Sequence, residues 1–267
     1  MNLVSGNITA SQRDILGLPV CDLGWAEAFA FAEEVATMPF GQSVIAFINA
    51  GNANLMMRDP EYRSVLERQV VLPDGDGVDI ASMVFHGRKF PANLTSIAFV
   101  PALLTYIAKP MRVALIGAQS ETLVRAADTL RQHTPWHEFL PIADGHFDQG
   151  QSDAIMERVR EANVDILLVS MGSPAQEKWI DRHVGPGHAR LVLSLGPLFD
   201  ALAGNTPAIP EAVRRFRLGW FYRLMKAPSR LPQHRAQAAF AYHVLRYKLS
   251  GTVMVRDDGH TAKAGSL

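Results

Sequence analysis

The chain has 267 residues, 48% hydrophobic and 19% charged, so it can bury a full globular core and is not a disordered protein. Its single cysteine, Cys21, excludes an intramolecular disulfide and a cysteine-based zinc cluster, and points to a reducing compartment, the cytoplasm by default. The formal net charge is zero, but residues 1–210 hold 15 Lys and Arg against 23 Asp and Glu, whereas 211–256 hold 10 against one, Glu211.

In chain order, hydrophobic periodicity predicts an amphipathic helix over 25–38, a strand over 43–48, a helix over 54–68 and a short strand over 70–72. The turn Pro73-Asp74-Gly75-Asp76-Gly77 comes next. Strands over 112–116, 139–142, 165–171 and 190–195 then alternate with helices over 120–133, 152–163 and 174–183. That alternation predicts an α/β fold, a Rossmann-like and mostly parallel sheet flanked by helices, whose ligands gather beyond the carboxyl ends of the strands. Residues 1–205 form the expected α/β body, 206–256 a basic, aromatic, helical C-terminal appendage, and 257–267 a polar, disordered tail.

The appendage interleaves its cations with Phe216, Trp220, Phe221, Tyr222, Phe240, Tyr242 and Tyr247, a pairing that suits an anionic lipid surface along 211–250. A helical hairpin packed on the body with solvated arginines is the plainer alternative. The acidic body argues against nucleic acid as a partner. No basic leader precedes an apolar N-terminal stretch and no run approaches the roughly 18 apolar residues of a spanning helix, so neither an export signal nor an integral segment is expected.

Three loops fall at the carboxyl ends of predicted strands: Gly117-Ala118-Gln119-Ser120, Gly172-Ser173-Pro174 and Gly196-Pro197-Leu198-Phe199-Asp200. None is a G-x-G-x-x-G or P-loop fingerprint. Ser173 suits a cap, Pro174 the first helical position and Gln176 a capping box, which would leave helix-end amides open to an anion. Asp74 stands after an apolar strand among glycines that let a substrate approach; capping the helix near Gly77 is its structural alternative. Asp74, Asp76 and Asp79 offer oxygen ligands, but their spacing fits no EF-hand and no Glu completes one, so neither a metal nor another cofactor is expected.

Taken together, Pro73-Asp74-Gly75-x-Gly77, Gly145-x-Phe147, the 165–179 segment with Gly172-Ser173-Pro174-x-Gln176-Glu177-Lys178-Trp179, Phe199-Asp200-x-x-Ala203-Gly204 and Trp220-x-Tyr222-Arg223-Leu224 resemble the WecG/TagA/CpsF glycosyltransferases over about residues 43–247. The resemblance implies an inverting, metal-independent hexosyltransferase. It would move a sugar from a UDP-sugar to a polyprenyl-diphosphate-linked saccharide, at the cytoplasmic face of the membrane, in surface polysaccharide assembly. Asp74 matches the proposed general base. Asn49, Asn52, Gly75, Gly77, Gly117, Gly172, Pro174, Gln176, Glu177, Phe199, Asp200, Arg214, Arg223 and Arg230 are the expected substrate contacts, the arginines facing the leaving diphosphate. A homo-oligomer is compatible with this reading.

The segment Phe47-Ile48-Asn49-Ala50-Gly51-Asn52 resembles the exopolysaccharide branch and tilts the expected donor toward a glucosyl type. Asn93-Leu94-Thr95-Ser96-Ile97-Ala98 departs from the family's R-x-x-G-x-D, removing a guanidinium and with it an expected diphosphate or sugar contact. Ala208 and Gly219 replace an Arg and a Glu. These departures favour, as the alternative function, a catalytically silent paralogue that binds nucleotide sugar or lipid-linked saccharide. A metal-dependent transferase using Asp74 and Asp76 is the other competitor.

Overall fold

The computed structural model describes residues 11–205 and 231–250, with side chains of the last helix described from Ala236 onward. Six strands form one parallel sheet: β3 (Ser43–Ile48), β4 (Val70–Pro73), β5 (Arg112–Gly117), β6 (Glu138–Ala143), β7 (Ile166–Ser170) and β8 (Leu191–Ser194), in the spatial order β4-β3-β8-β7-β5-β6. The inner strands are apolar on both faces because helices cover both. Alternate residues divide accordingly: Ile45, Phe47, Val113, Leu115, Leu168 and Leu193 face one core, and Ala46, Ile48, Ala114, Ile116, Val169 and Val192 face the other side.

The first face carries α1 (Trp25–Thr37), α5 (Ser96–Tyr106), α6 (Ser120–His133) and α9 (Leu198–Leu202). The opposite face carries α2 (Ala50–Met56), α3 (Pro60–Glu67), α4 (Asp76–His86), α7 (Ser152–Glu161), α8 (Ala175–His183) and α10 (Leu231–Leu249). A two-stranded antiparallel hairpin, β1 (Gln12–Ile15) and β2 (Leu18–Cys21), joins that face. Arg13 locks it there: the guanidinium meets Asp22, the Ser82 hydroxyl and the carbonyls of Arg88 and Lys89.

The structure corrects several expected boundaries. The helix expected over 54–68 is two, because Asp59 accepts from the Tyr62 N–H and Pro60 opens a new helix. The hairpin and α5 were not expected at all. In α8 the Ser173 hydroxyl makes no cap; it donates to the Glu177 carboxylate, and the Ser173–Pro174 peptide is cis.

Of the appendage, α10 is described, and it packs on α2 and α4. Phe240 and Val244 are buried with Ile48, Ala53 and Val78, and Tyr247 meets Phe85 edge to face. Its outer side exposes Tyr242, Leu245 and Leu249 beside Arg246 and Lys248. Among the described residues no helix is long and apolar enough to cross a membrane.

Candidate active site

All six sheet strands end toward the same rim, so loops far apart in sequence meet there. On one half of the rim, β3 pairs with β4 so that Ile48 lies beside Pro73, and the Asp74 N–H continues the ladder to the Ile48 carbonyl at 2.9 Å. The next residues, Asn49 and Asp74, are thereby brought together. Asn49 caps α2 by accepting from the Asn52 N–H at 3.0 Å, and its side chain stands near enough to the Asp74 carboxylate to favour its ionised form. Asn52 turns inward, donating to the Phe47 carbonyl at 3.1 Å.

Burial pushes the Asp74 carboxyl up to about 6, against the smaller, opposite pull of the Asn49 side chain. A carboxylate poised there is ionised at neutral pH yet basic enough to take a proton from a hydroxyl in a transition state. Gly75 has φ +95°, a conformation that glycine alone adopts without strain, and its N–H donates to the Asn93 side-chain oxygen at 2.8 Å. A Cβ at Gly77 would lie 3.1 Å from Ala50, so this glycine permits the close approach of α4 to α2.

On the other half, Gly117 ends β5 with φ +128°, and a Cβ there would fall 2.0 Å from the Ser170 carbonyl oxygen. Ala118 follows at φ +54°, and its carbonyl accepts from Gly145 at 2.7 Å, which brings the loop after β6 against the loop after β5. In that loop Asp144 accepts from the Ser120 hydroxyl at 2.5 Å and from the His146 N–H at 2.9 Å. These bonds, Ser120 first, hold its carboxyl below the usual carboxylate range.

The loop after β7 is built from the inside. Gln176 and Glu177 are buried, and the Gln176 carbonyl oxygen accepts from the N–H groups of Met171 and Gly172 at 3.0 and 2.9 Å. Its amide nitrogen donates to Ser194 at 2.9 Å and to Glu177 at 3.1 Å, and the Ser194 hydroxyl donates to the same Glu177 oxygen at 2.9 Å. The Gly172 amide, expected to be open to an anion, is therefore engaged within the protein. Pro174 and Gly172 form the loop's outer surface.

Phe199, on the inner side of α9, is fully buried in the core, while its neighbour Asp200 is half-buried at the rim. Arg214, Arg223, Arg230, Ala208 and Gly219 lie outside the described residues. Among the described residues no three His, Cys, Asp or Glu side chains gather closely enough to hold a metal. Asn93 and Asp144 did not figure among the expected site residues. The place of Asp144 after the second strand of a βαβ unit was a usable signal; the partner of Asn93 was visible only after folding.

The model of the Glycosyl transferase WecG/TagA/CpsF family matches residues 13–253, and the chain belongs to this family. It is a glycosyltransferase, as the motifs around Asp74 and Gln176 had implied. Among similar proteins, an N-acetylglucosaminyldiphosphoundecaprenol N-acetyl-beta-D-mannosaminyltransferase of Bacillus spizizenii is 26% identical over 84% of this chain and 88% of its own length. A protein of the same description from Bacillus subtilis is 28% identical over 76% of this chain and 79% of its own length.

Proposed function

We propose that this glycosyltransferase moves a sugar from a UDP-sugar to a polyprenyl-diphosphate-linked saccharide in the assembly of a surface or cell-wall polymer, with Asp74 as general base. The observation that carries the reading is the half-buried Asp74 carboxylate at the rim of the sheet, placed beside Asn49 by the β3–β4 register and held above the usual carboxylate range by burial. The names of the Bacillus relatives support an acceptor bearing N-acetylglucosamine on undecaprenyl diphosphate, and an N-acetylmannosamine donor in preference to the glucosyl donor suggested by residues 47–52.

In this reading the acceptor hydroxyl oxygen attacks the anomeric carbon of the donor as its proton passes to Asp74. The bond from that carbon to the diphosphate breaks, UDP leaves with the electron pair, and the anomeric configuration inverts. Gly75 and Gly172, with open space where a Cβ would stand, keep the rim open to substrate; Gly77 and Gly117 let the chain pack closely beneath it, and Gln176 and Glu177 hold the β7–α8 loop in shape. Asn49, Asn52, Pro174 and Asp200 border the substrate, with Phe199 supporting Asp200 from the core. Arg214, Arg223 and Arg230 supply positive potential to the leaving diphosphate. The outer side of α10 meets anionic lipid through Tyr242, Leu245, Leu249, Arg246 and Lys248, at the cytoplasmic surface where the lipid-linked acceptor is presented.

A UDP-release assay with UDP-N-acetylmannosamine, UDP-glucose and related donors, on a synthetic N-acetylglucosaminyl-diphosphoprenol, tests the reading. Acceptor-dependent release that persists in EDTA and is lost in Asp74→Asn is expected. Donor binding without release across the acceptor panel would instead indicate a silent, substrate-binding paralogue, and an EDTA-sensitive rate a metal-dependent one.

A further inference from the structure

Asn93 occupies the place where the family resemblance puts an arginine, and its side chain does something that no guanidinium can do. Its Oδ1 accepts the Gly75 N–H at 2.8 Å, whereas a guanidinium carries donors only. One residue on, the Leu94 N–H donates to the Pro73 carbonyl at 3.1 Å. These two bonds bracket Asp74, one on each side. Gly75 is the N-cap of α4 at φ +95°, ψ 164°, with no side chain to cap; Val78 at the third helical position cannot accept its N–H either, so the Asn93 oxygen makes the bond that a capping-box side chain would make there.

The bracket is firmly seated. Ala92 and Leu94, on either side of Asn93, are both buried in the core between the sheet and α1 and α5. Two residues further, Ser96 opens α5 and lies fully buried, with its hydroxyl 3.5 Å from where a Cβ on Gly196 would stand. A single short segment therefore spans from the turn that carries Asp74 to the loop after β8.

We propose that Asn93 is a positioning residue for Asp74: it holds the Asp74–Gly75 turn through its side-chain oxygen and so fixes where the carboxylate meets the acceptor hydroxyl. This rests on the assignment of Asp74 as the base. The substitution at position 93 is then a change of task, from a charged ligand contact to a hydrogen-bond acceptor that orders the base, and it does not mark a silent protein.

The test is steady-state kinetics of UDP release with the full chain, for wild type, Asn93→Leu, Asn93→Asp and Asp74→Asn, with amide exchange at Gly75 read by NMR. Leucine matches asparagine in branching and number of heavy atoms and accepts nothing; aspartate keeps the accepting oxygen. Asn93→Leu is expected to lower kcat by about 10- to 100-fold with donor KM within about threefold, and to lose Gly75 protection. Asn93→Asp is expected to keep that protection and recover most of kcat above pH 8. Wild-type kcat in Asn93→Leu, beside a dead Asp74→Asn, overturns the role of Asn93. A loss in kcat that Asn93→Asp does not recover, despite retained Gly75 protection, overturns it too. Full turnover in Asp74→Asn overturns the base itself, and Gly75 exchange then still reports whether Asn93 holds the turn. If Asn93→Leu does not fold, Asn93→Gln, which displaces the oxygen by one methylene, decides the question by the same kcat criterion.

Discussion

Asn54 of α2 donates a hydrogen bond to the Ala236 carbonyl of α10 at 2.6 Å, tying the last described helix to the helix that Asn49 caps beside Asp74. Helix α10 is thus tied directly to the helix that borders the site. Phe240, one turn further along α10, is buried against α2 and α4, with a ring carbon 3.8 Å from the Cβ position of Gly77.

Phe240→Ala is therefore expected to destabilise the protein by about 3–5 kcal/mol, as for other large aromatic truncations in a core. Urea denaturation checks it. Truncation after Thr206 would remove Phe240 and Val244 from the core together, so it is a poor probe of lipid binding. The outward variants Leu245→Glu and Leu249→Glu leave that packing in place, and both together are expected to abolish sedimentation with anionic vesicles while preserving the melting temperature.

Two opposite pH dependences follow from Asp74. As a base it must be ionised, so kcat/KM is expected to climb about tenfold per pH unit below about 6 and to level above it. A pH–rate profile measures this, and the ascending limb should be missing from the residual activity of Asp74→Asn.

Stability runs the other way. The folded protein holds the Asp74 proton up to about 6, whereas the ordinary value is 3.8, so native stability from this group is full below the ordinary value and is lost as pH rises through about 6. Asp74→Asn is expected to exceed the wild type in stability at pH 8 by on the order of 1–3 kcal/mol and to match it near pH 4. Denaturation at the two pH values gives the comparison, and a variant equally stable at both would deny the burial of the charge.

The two strand-end glycines separate steric from conformational need. Gly117→Ala places a methyl 2.0 Å from the Ser170 oxygen at φ +128° and is expected to prevent folding or to cost more than about 4 kcal/mol. Gly172→Ala meets nothing within 4 Å and carries only the strain of φ +91°, expected at about 1–2 kcal/mol. Parallel thermal melts of the two variants test the contrast.

Gln176→Leu removes the acceptor of two backbone N–H groups and the donor to Ser194, all at a buried position. A loss of at least about 2 kcal/mol is expected, with a fall in donor affinity as the β7–α8 loop loses its shape. Calorimetric titration with UDP beside a thermal melt distinguishes the two effects.

The amino-acid sequence alone determined the class of fold and much of the rim. Short apolar runs such as 166–169, bounded by turn residues and alternating with amphipathic helices, read as strands buried on both faces, and the glycine-bearing turns after them locate the loops where a parallel sheet receives its ligand. It did not disclose α5, which is apolar all round and carries Pro101 in its interior, nor the four-residue strands of the β1–β2 hairpin, too short for a periodic signal. Ser173 has the local pattern of a helix cap, but the buried Glu177 carboxylate takes its hydroxyl instead.

What the tertiary structure decided is which side chains share the site. Asp74 stands beside Asn49 because the register of β3 on β4 aligns Ile48 with Pro73, and its turn is held by Asn93 because the segment before α5 runs back past the end of β4. Both relationships depend on pairing between distant stretches of chain, whose register is set by the burial of whole faces, and a local pattern of residues carries no record of it.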